Sequence, residues 1–325
     1  MLIKIPRPWE IPEREATPEG VYLNRRQFLR AAGLGTAGAI LGCGGNEADS
    51  RPAVPVEKTQ GPGARLPNLY PARRSARYAL DRPLTKESVA AMYNNFYEFS
   101  TDKEAVKRLV ERFEIHPWQV EVTGLVARPK VYDLDDLVKK MPVEERLYRF
   151  RCVEAWAMAV PWTGFPFKAL IDEVQPTSRA THIRLVSFYK PDQAPGIRSQ
   201  SWYNWPYHEG LTVQEAMNEL TMLIVGIYGH DLPRQHGAPI RLVTPWKYGY
   251  KSIKSVVQIE FVDGQPPTFW NEVAPDEYDF WSNVNPGVPH PRWSQASERM
   301  IDTGERRPTL LYNGYGDHVR HLYKS

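Results

Sequence analysis

Cysteine is nearly absent from this sequence: Cys43 and Cys152 are its only two in 325 residues. That scarcity excludes a disulfide framework. With no HExxH motif and no clustered His/Cys spacing, it also leaves no zinc or iron–sulfur site built from protein ligands. Long hydrophobic runs are lacking too. The Gly/Ala-rich stretch 31–41 is too short for a bilayer, which takes roughly 18 or more apolar residues. Charge of one sign is missing as well: the formal net charge is +3, and without a dense Lys/Arg block nucleic acid is not favoured as a partner. Aromatics and proline are what the chain does have. Ten Trp, 17 Tyr and 29 Pro exceed what a disordered chain carries, and they point to a folded protein with many ordered loops.

The N-terminus reads NRRQFLR over residues 24–30, followed by an apolar stretch of signal-peptide length. Arg25 and Arg26 resemble the twin-arginine export signal, which serves proteins that fold, often around a cofactor, before translocation. Residues 1–45 are therefore expected to be a signal segment, and the mature protein to be periplasmic. At its end, Ile40 to Cys43 resembles a lipobox, although Leu41 stands where a small residue is usual; acylation of Cys43 would tether the protein to a membrane face. Residues 46–76, rich in Pro, Gly, Arg and Ala, read as a linker or extended arm, and 77–325 as a single catalytic domain. If Cys43 is acylated or removed, Cys152 is alone in the mature protein. A lone thiol in an oxidising compartment is either a buried small hydrophobe or has a chemical task.

The fold class expected is α+β with a strong β share. Residues 118–126 (WQVEVTGLV), with Val120, Val122 and Leu125, are spaced for a strand that gives way to a Gly turn. A short helix over 133–141 follows, capped by Asp133 and ended by Pro142, with Leu134, Leu137, Val138 and Met141 on one face. Further strands are expected at 181–188, 222–228, 239–243 and 256–261, and a helix over 212–220. Past Phe261 the aromatics, prolines and asparagines predict ordered loops over the core.

Around the lone thiol the chain reads RFRCVEAWAMAVPWTGFPF, residues 149–167. Arg149 and Arg151 are expected to favour the thiolate, the form that binds a soft-ligand metal site. A cofactor bringing its own sulfur ligands would need only this one.

Five segments then occur in order: YNNFYEF (93–99), RCVEAW (151–156), PWKYGYKSIKS (245–255), APDEYDFWSNVNP (274–286) and HPRWSQA (290–296). Together they resemble the molybdopterin-containing catalytic subunits of bacterial periplasmic protein-methionine-sulfoxide reductases, in the sulfite oxidase fold superfamily. The resemblance implies a β-rich mixed fold of the sulfite oxidase molybdopterin-domain type, a Mo-molybdopterin cofactor, and Cys152 as the catalytic thiolate on the metal. It makes Asn94, Tyr97 and Glu98 cofactor-binding, with Ser187 retaining the hydroxyl of a family Thr. For the cofactor phosphate, Arg241 offers a planar fork, while Ser252, Ile253 and Lys254 follow a turn that can direct N–H groups and one cation at an anion. His236 stands where the family usually has Asn, and Ser252 where it usually has Gly; both His and Asn can donate to a pterin or phosphate oxygen. The activity implied is oxygen-atom transfer from methionine sulfoxide in oxidised proteins, with electrons returned by a haem-binding integral membrane partner. Two alternatives stand beside it. Sulfite-oxidising relatives typically carry arginines after the ligand Cys, whereas here Val153, Glu154, Ala155 and Trp156 follow, and an acid disfavours an anionic substrate. A metal-free exported binding protein would use its aromatics as a recognition surface instead.

Overall fold

Alternation of Val120 and Val122 with polar neighbours makes a strand with one buried face, and β1 (Gln119–Gly124) has that burial pattern. The computed structural model describes residues 69–323; the twin-arginine segment, the Cys43 motif and the arm before Leu69 lie outside the described residues. After β1 the chain pairs back as β2 (Lys130–Asp133). Asp133 then caps the helix Leu134–Lys140, accepting from the N–H groups of Asp135 and Asp136 at 3.0 and 3.3 Å. Leu134, Leu137 and Val138 are its buried face, as the spacing predicts.

Two sheets organise the chain. The first has the order β2-β1-β10-β5-β6, where β5 is His182–Ser187, β6 His208–Thr212 and β10 Val256–Val262. Only β1 and β10 run parallel; the other pairs are antiparallel. The second is built on β3 (Glu144–Arg151) and the long β4 (Trp156–Pro166), with β7 (Met222–Ile227), β8 (His230–Asp231), β9 (Arg241–Val243), β11 (Ser297–Met300) and β12 (Arg306–Pro308). Its order is β12-β11-β4-β7-β8, with β3 also on β4 and β9 also on β7. Each sheet carries an apolar cluster. Val120, Val122, Leu185 and Ile259 pack with Phe96, Phe99, Phe113 and Phe188 in one, and Trp162, Met222, Ile224 and Trp246 pack with Cys152 in the other. Burying each such large side chain contributes about 1.5–3 kcal/mol.

The β-rich α+β class agrees with the sequence, and two local expectations are corrected. The helix expected over 212–220 stops at Met217: Thr212 and Glu215 form a capping box at its start, and Asn218 leaves it in an extended conformation. Asn218 then bonds outward to His318 O (3.0 Å) and holds the N–H of Leu220 (3.0 Å), so Leu220 is buried without being helical. The segment after Phe261 is not loop alone. It contains the helix Phe269–Val273 and strands β11 and β12, which extend the second sheet. At the other end, the Tyr70 hydroxyl donates to Val225 O (2.8 Å), and Arg74 bridges to Glu145 on β3.

Candidate active site

β3 ends at Arg151 and β4 begins at Trp156, so Cys152 sits in the four-residue turn between two paired strands. The turn is closed by the Cys152 N–H on Trp156 O (2.9 Å) and the Ala155 N–H on Cys152 O (3.1 Å). Ala155 takes a left-handed φ of 62°, a conformation that a non-glycine residue adopts only where its surroundings fix it. The Arg299 N–H on Ala155 O (2.9 Å) is one of those restraints.

The sulfur faces a cleft. Of the residues singled out in the sequence, Asn94, Tyr97, Glu98, Cys152, His236, Arg241, Ser252, Ile253 and Lys254 all line it. Ser187 does not: it is buried behind the wall, its hydroxyl donating to Lys254 O at 2.8 Å. Three loops from distant parts of the chain thus converge on one sulfur. The 93–99 loop is held by a close approach at Gly196, where a Cβ would lie 2.2 Å from Tyr97 O; the Ile197 N–H bonds Glu98 O at 3.1 Å.

The electrostatics differ from the sequence expectation at the thiol itself. Arg149 is turned away to Asp81 (3.0 Å), and Arg151 is paired with Glu298 (3.2 Å), which Arg82 also holds (2.7 Å). Arg149 does not act on the sulfur, and the paired Arg151 lowers the thiol by less than burial raises it. Burial, seconded by the Glu154 carboxylate, pushes the Cys152 thiol up to about 12. The cationic end of the cleft lies elsewhere. Arg241 is buried and donates to the carbonyls of His236 (2.8 Å), Ser252 (2.9 Å) and Leu242 (3.3 Å), with no carboxylate paired to it among the described residues. Burial alone brings its guanidinium down to about 9. Lys254, half-buried, donates to Asn95 O (2.7 Å) and Gln235 O (3.2 Å), and burial together with Arg241 holds its ammonium well below the usual range. His236 is buried, and burial with the Lys254 and Arg241 charges keeps its imidazole neutral at pH 7. Glu98 is buried as well, and desolvation raises its carboxyl to about 7.

Comparison with known proteins fits this geometry. A model of the oxidoreductase molybdopterin-binding domain matches residues 107–270. The protein-methionine-sulfoxide reductase catalytic subunit of Burkholderia mallei is 47% identical over 97% of this chain and 93% of its own. That of Ralstonia nicotianae is 48% identical over 99% of this chain and 97% of its own, and that of Pseudomonas syringae pv. tomato 44% over the same shares. The chain belongs to this reductase family. It is a molybdopterin oxidoreductase, and relatives named catalytic subunits work with a partner subunit.

The residues present fit the family's Mo-molybdopterin. That group brings its own dithiolene sulfurs and an anionic phosphate, so it asks for one thiolate and for positive charge with no acid already bound to it. The cleft offers a thiol that ligation would deprotonate and two cations without a paired acid, and it holds a further polar atom without a partner: Asn95 Oδ1 is buried and unbonded among the described residues. Asn95 is a residue the sequence reading missed. Its Nδ2 lies 3.4 Å from Cys152 Sγ, whereas the amide of neighbouring Asn94 donates to Ala90 O (3.4 Å) and Ala91 O (3.1 Å) at the end of the helix Glu87–Met92. Nothing in YNNFYEF distinguishes the two by type; only the helix end does. Glu154, weighed in the sequence only against an anionic substrate, also touches the thiol: its N–H points at the sulfur (3.5 Å), and its carboxylate is held by Lys103 (3.0 Å) and the Trp156 indole (3.2 Å). The phosphate turn also differs in detail. The N–H groups of Ser252 and Ile253 bond to Gly249 O (3.1 Å) and Lys251 O (3.0 Å) within the turn, which makes the Lys254 and Arg241 side chains the principal positive groups.

Proposed function

We propose that this chain reduces methionine sulfoxide in oxidised periplasmic proteins, with Cys152 as the thiolate ligand of its cofactor. The observation that carries the reading is the juxtaposition of one buried thiol with Arg241 and Lys254, neither carrying a paired carboxylate among the described residues. Bound in the cleft, the molybdenum cofactor would supply two-electron oxygen-atom-transfer chemistry. The net reaction takes up two electrons and two protons and releases the thioether and water.

The chain's own residues do the rest. Cys152 loses its thiol proton on ligation, which offsets a thiol otherwise held up by burial. Arg241 and Lys254 would hold the phosphate; Asn94, Tyr97, His236, Ser252 and Ile253 line the cleft where the pterin would lie, and Ser187, behind the wall, steadies Lys254 through its carbonyl. Neutral His236 can give or take one hydrogen bond without changing charge. Glu98, with a carboxyl near 7, can hold or release a proton at the cleft wall around neutral pH. Tyr97, Tyr250, Trp270 and Tyr278 wall the cleft against bulk water. The Glu154 carboxylate, whose charge still raises the Cys152 thiol while paired with Lys103, disfavours an anion such as sulfite, which supports the neutral sulfoxide as substrate.

Residues 77–325 are read as the one catalytic domain, following a twin-arginine signal in 1–45 and an arm over 46–76, with Cys43 a candidate lipid anchor. Among the described residues no helix is long and apolar enough to cross a membrane. Electrons are proposed to come from a haem-binding integral membrane partner. The test is metal analysis plus turnover: about one Mo per chain and reduction of methionine sulfoxide without oxidation of sulfite are expected. Absence of Mo, or sulfite oxidation alone, would reject the reading.

A further inference from the structure

Beside the cleft lies a second hollow of about 610 Å³, lined by none of the residues assigned to the cofactor. Two residues line both spaces, Val153, which follows Cys152, and Tyr250. Their boundary is rigid. The Trp293 indole and the Gln295 amide both donate to Val153 O at 2.7 Å, and Tyr250 meets Tyr278 edge to face at 5.3 Å. The rim beyond is apolar and open to solvent: Trp281 is 42% exposed, Val288 61% and Leu311 49%. Exposed apolar side chains gathered along one groove mark an interaction surface.

Charge narrows the occupant. Two carboxylates, Glu277 and Asp279, line the groove, and no Lys or Arg does. Glu277 is engaged by Arg292 (2.6 Å) and faces His290 (3.4 Å). The His290 ring accepts the Arg292 N–H at Nδ1 (3.2 Å), so its proton lies on Nε2 toward Glu277 and the ring adds no positive charge. Asp279 is exposed; its carboxylate accepts the Ser282 N–H at 2.6 Å and forms no ion pair among the described residues, which leaves its charge at the groove.

We propose that this groove is the subsite for the polypeptide on one side of the oxidised methionine, accepting an extended segment with an apolar residue and a Lys or Arg. This rests on the sulfoxide reading above and deepens it. A methionine side chain entering the cleft past Val153 and Tyr250 leaves its neighbouring residues at the mouth of the groove, where Trp281, Val288 and Leu311 meet the apolar residue and Asp279 the cation.

The test uses the holoenzyme with a reduced viologen dye as electron donor. Three substrates are compared: free methionine sulfoxide, a short peptide with its methionine sulfoxide flanked by Leu and Lys, and the same peptide with Asp for Lys. The wild type is expected to prefer the Lys peptide. Asp279→Asn, which keeps an acceptor for Ser282, is expected to cut that preference about threefold, as for one exposed charge pair. Val288→Lys, at an exposed position, is expected to reverse it, with the rate on free methionine sulfoxide unchanged in both. Equal rates on the two peptides overturn the proposal, as do variants that slow all three substrates together. Peptide rates unaffected with the dye but lost with the membrane partner as donor assign the groove to that partner and also overturn it. A wild type that reduces no sulfoxide at all rejects the functional reading itself, a different result from indifference to the peptides.

Discussion

Replacing Arg241 by Gln separates the two roles of a buried cation. Burial alone takes this guanidinium from roughly 12.5 to about 9, a penalty on the order of 5 kcal/mol at about 1.4 kcal/mol per pH unit. The substitution relieves that penalty but loosens hydrogen bonds to the carbonyls of His236, Ser252 and Leu242, each leaving a group worth about 1–3 kcal/mol. The two effects nearly cancel, so the cofactor-free variant is expected to unfold within a few degrees of the wild type. Cofactor retention has no such compensation. Removing one partner of a buried charge pair costs about 3–5 kcal/mol, or at least two orders of magnitude in affinity. The assay is Mo and pterin content per chain after gel filtration, set against thermal unfolding of both forms. A variant that keeps its full cofactor complement would refute the phosphate assignment. One that loses it only because the apoprotein no longer folds would refute the cancellation.

Glu98→Gln tests the raised carboxyl. In the folded protein it titrates at about 7 instead of 4.5, so the native state holds more protons between those values. Its stabilising contribution is complete below about pH 4.5 and lost as pH rises through 7, on the order of 3 kcal/mol. Glutamine should flatten that decline in denaturant titrations of the cofactor-free protein; an unchanged slope would count against the raised value. Gly196→Ala places a Cβ 2.2 Å from Tyr97 O and should cost about 1–3 kcal/mol with a matching loss of cofactor, read by melting and metal content. Asp133→Ala, far from the cleft, should lower stability by about 1 kcal/mol through the lost helix cap while leaving the specific activity of folded enzyme intact.

Strands with one wet face were legible. β1 and the helix after β2 follow their apolar periods because solvent lies on one side of each. β4 was not, because its sequence carries Pro161, Gly164 and Pro166, which read as loop signals, whereas the equally buried β7 is an unbroken apolar run apart from Gly226. Gly164 is there for a packing reason: a Cβ would sit 2.1 Å from Leu223 O at the bulge between β4 and β7. The site was legible through its segments more than through its charges. Nine of the ten residues singled out line one cleft, yet Arg149 and Arg151, adjacent to Cys152 in sequence, are drawn to Asp81 and Glu298 from remote parts of the chain. Sequence proximity says nothing of partners 68 and 147 positions away. The same blindness separates Asn94 from Asn95, identical in type, one facing a helix end and the other the sulfur.

The claim that Cys152 ligates the metal is tested most directly by X-ray absorption at the Mo edge on cofactor-loaded wild type and Cys152→Ser. The account predicts one fewer sulfur in the first shell of the variant, together with loss of sulfoxide reduction. An unchanged sulfur shell in a loaded Cys152→Ser protein would contradict it.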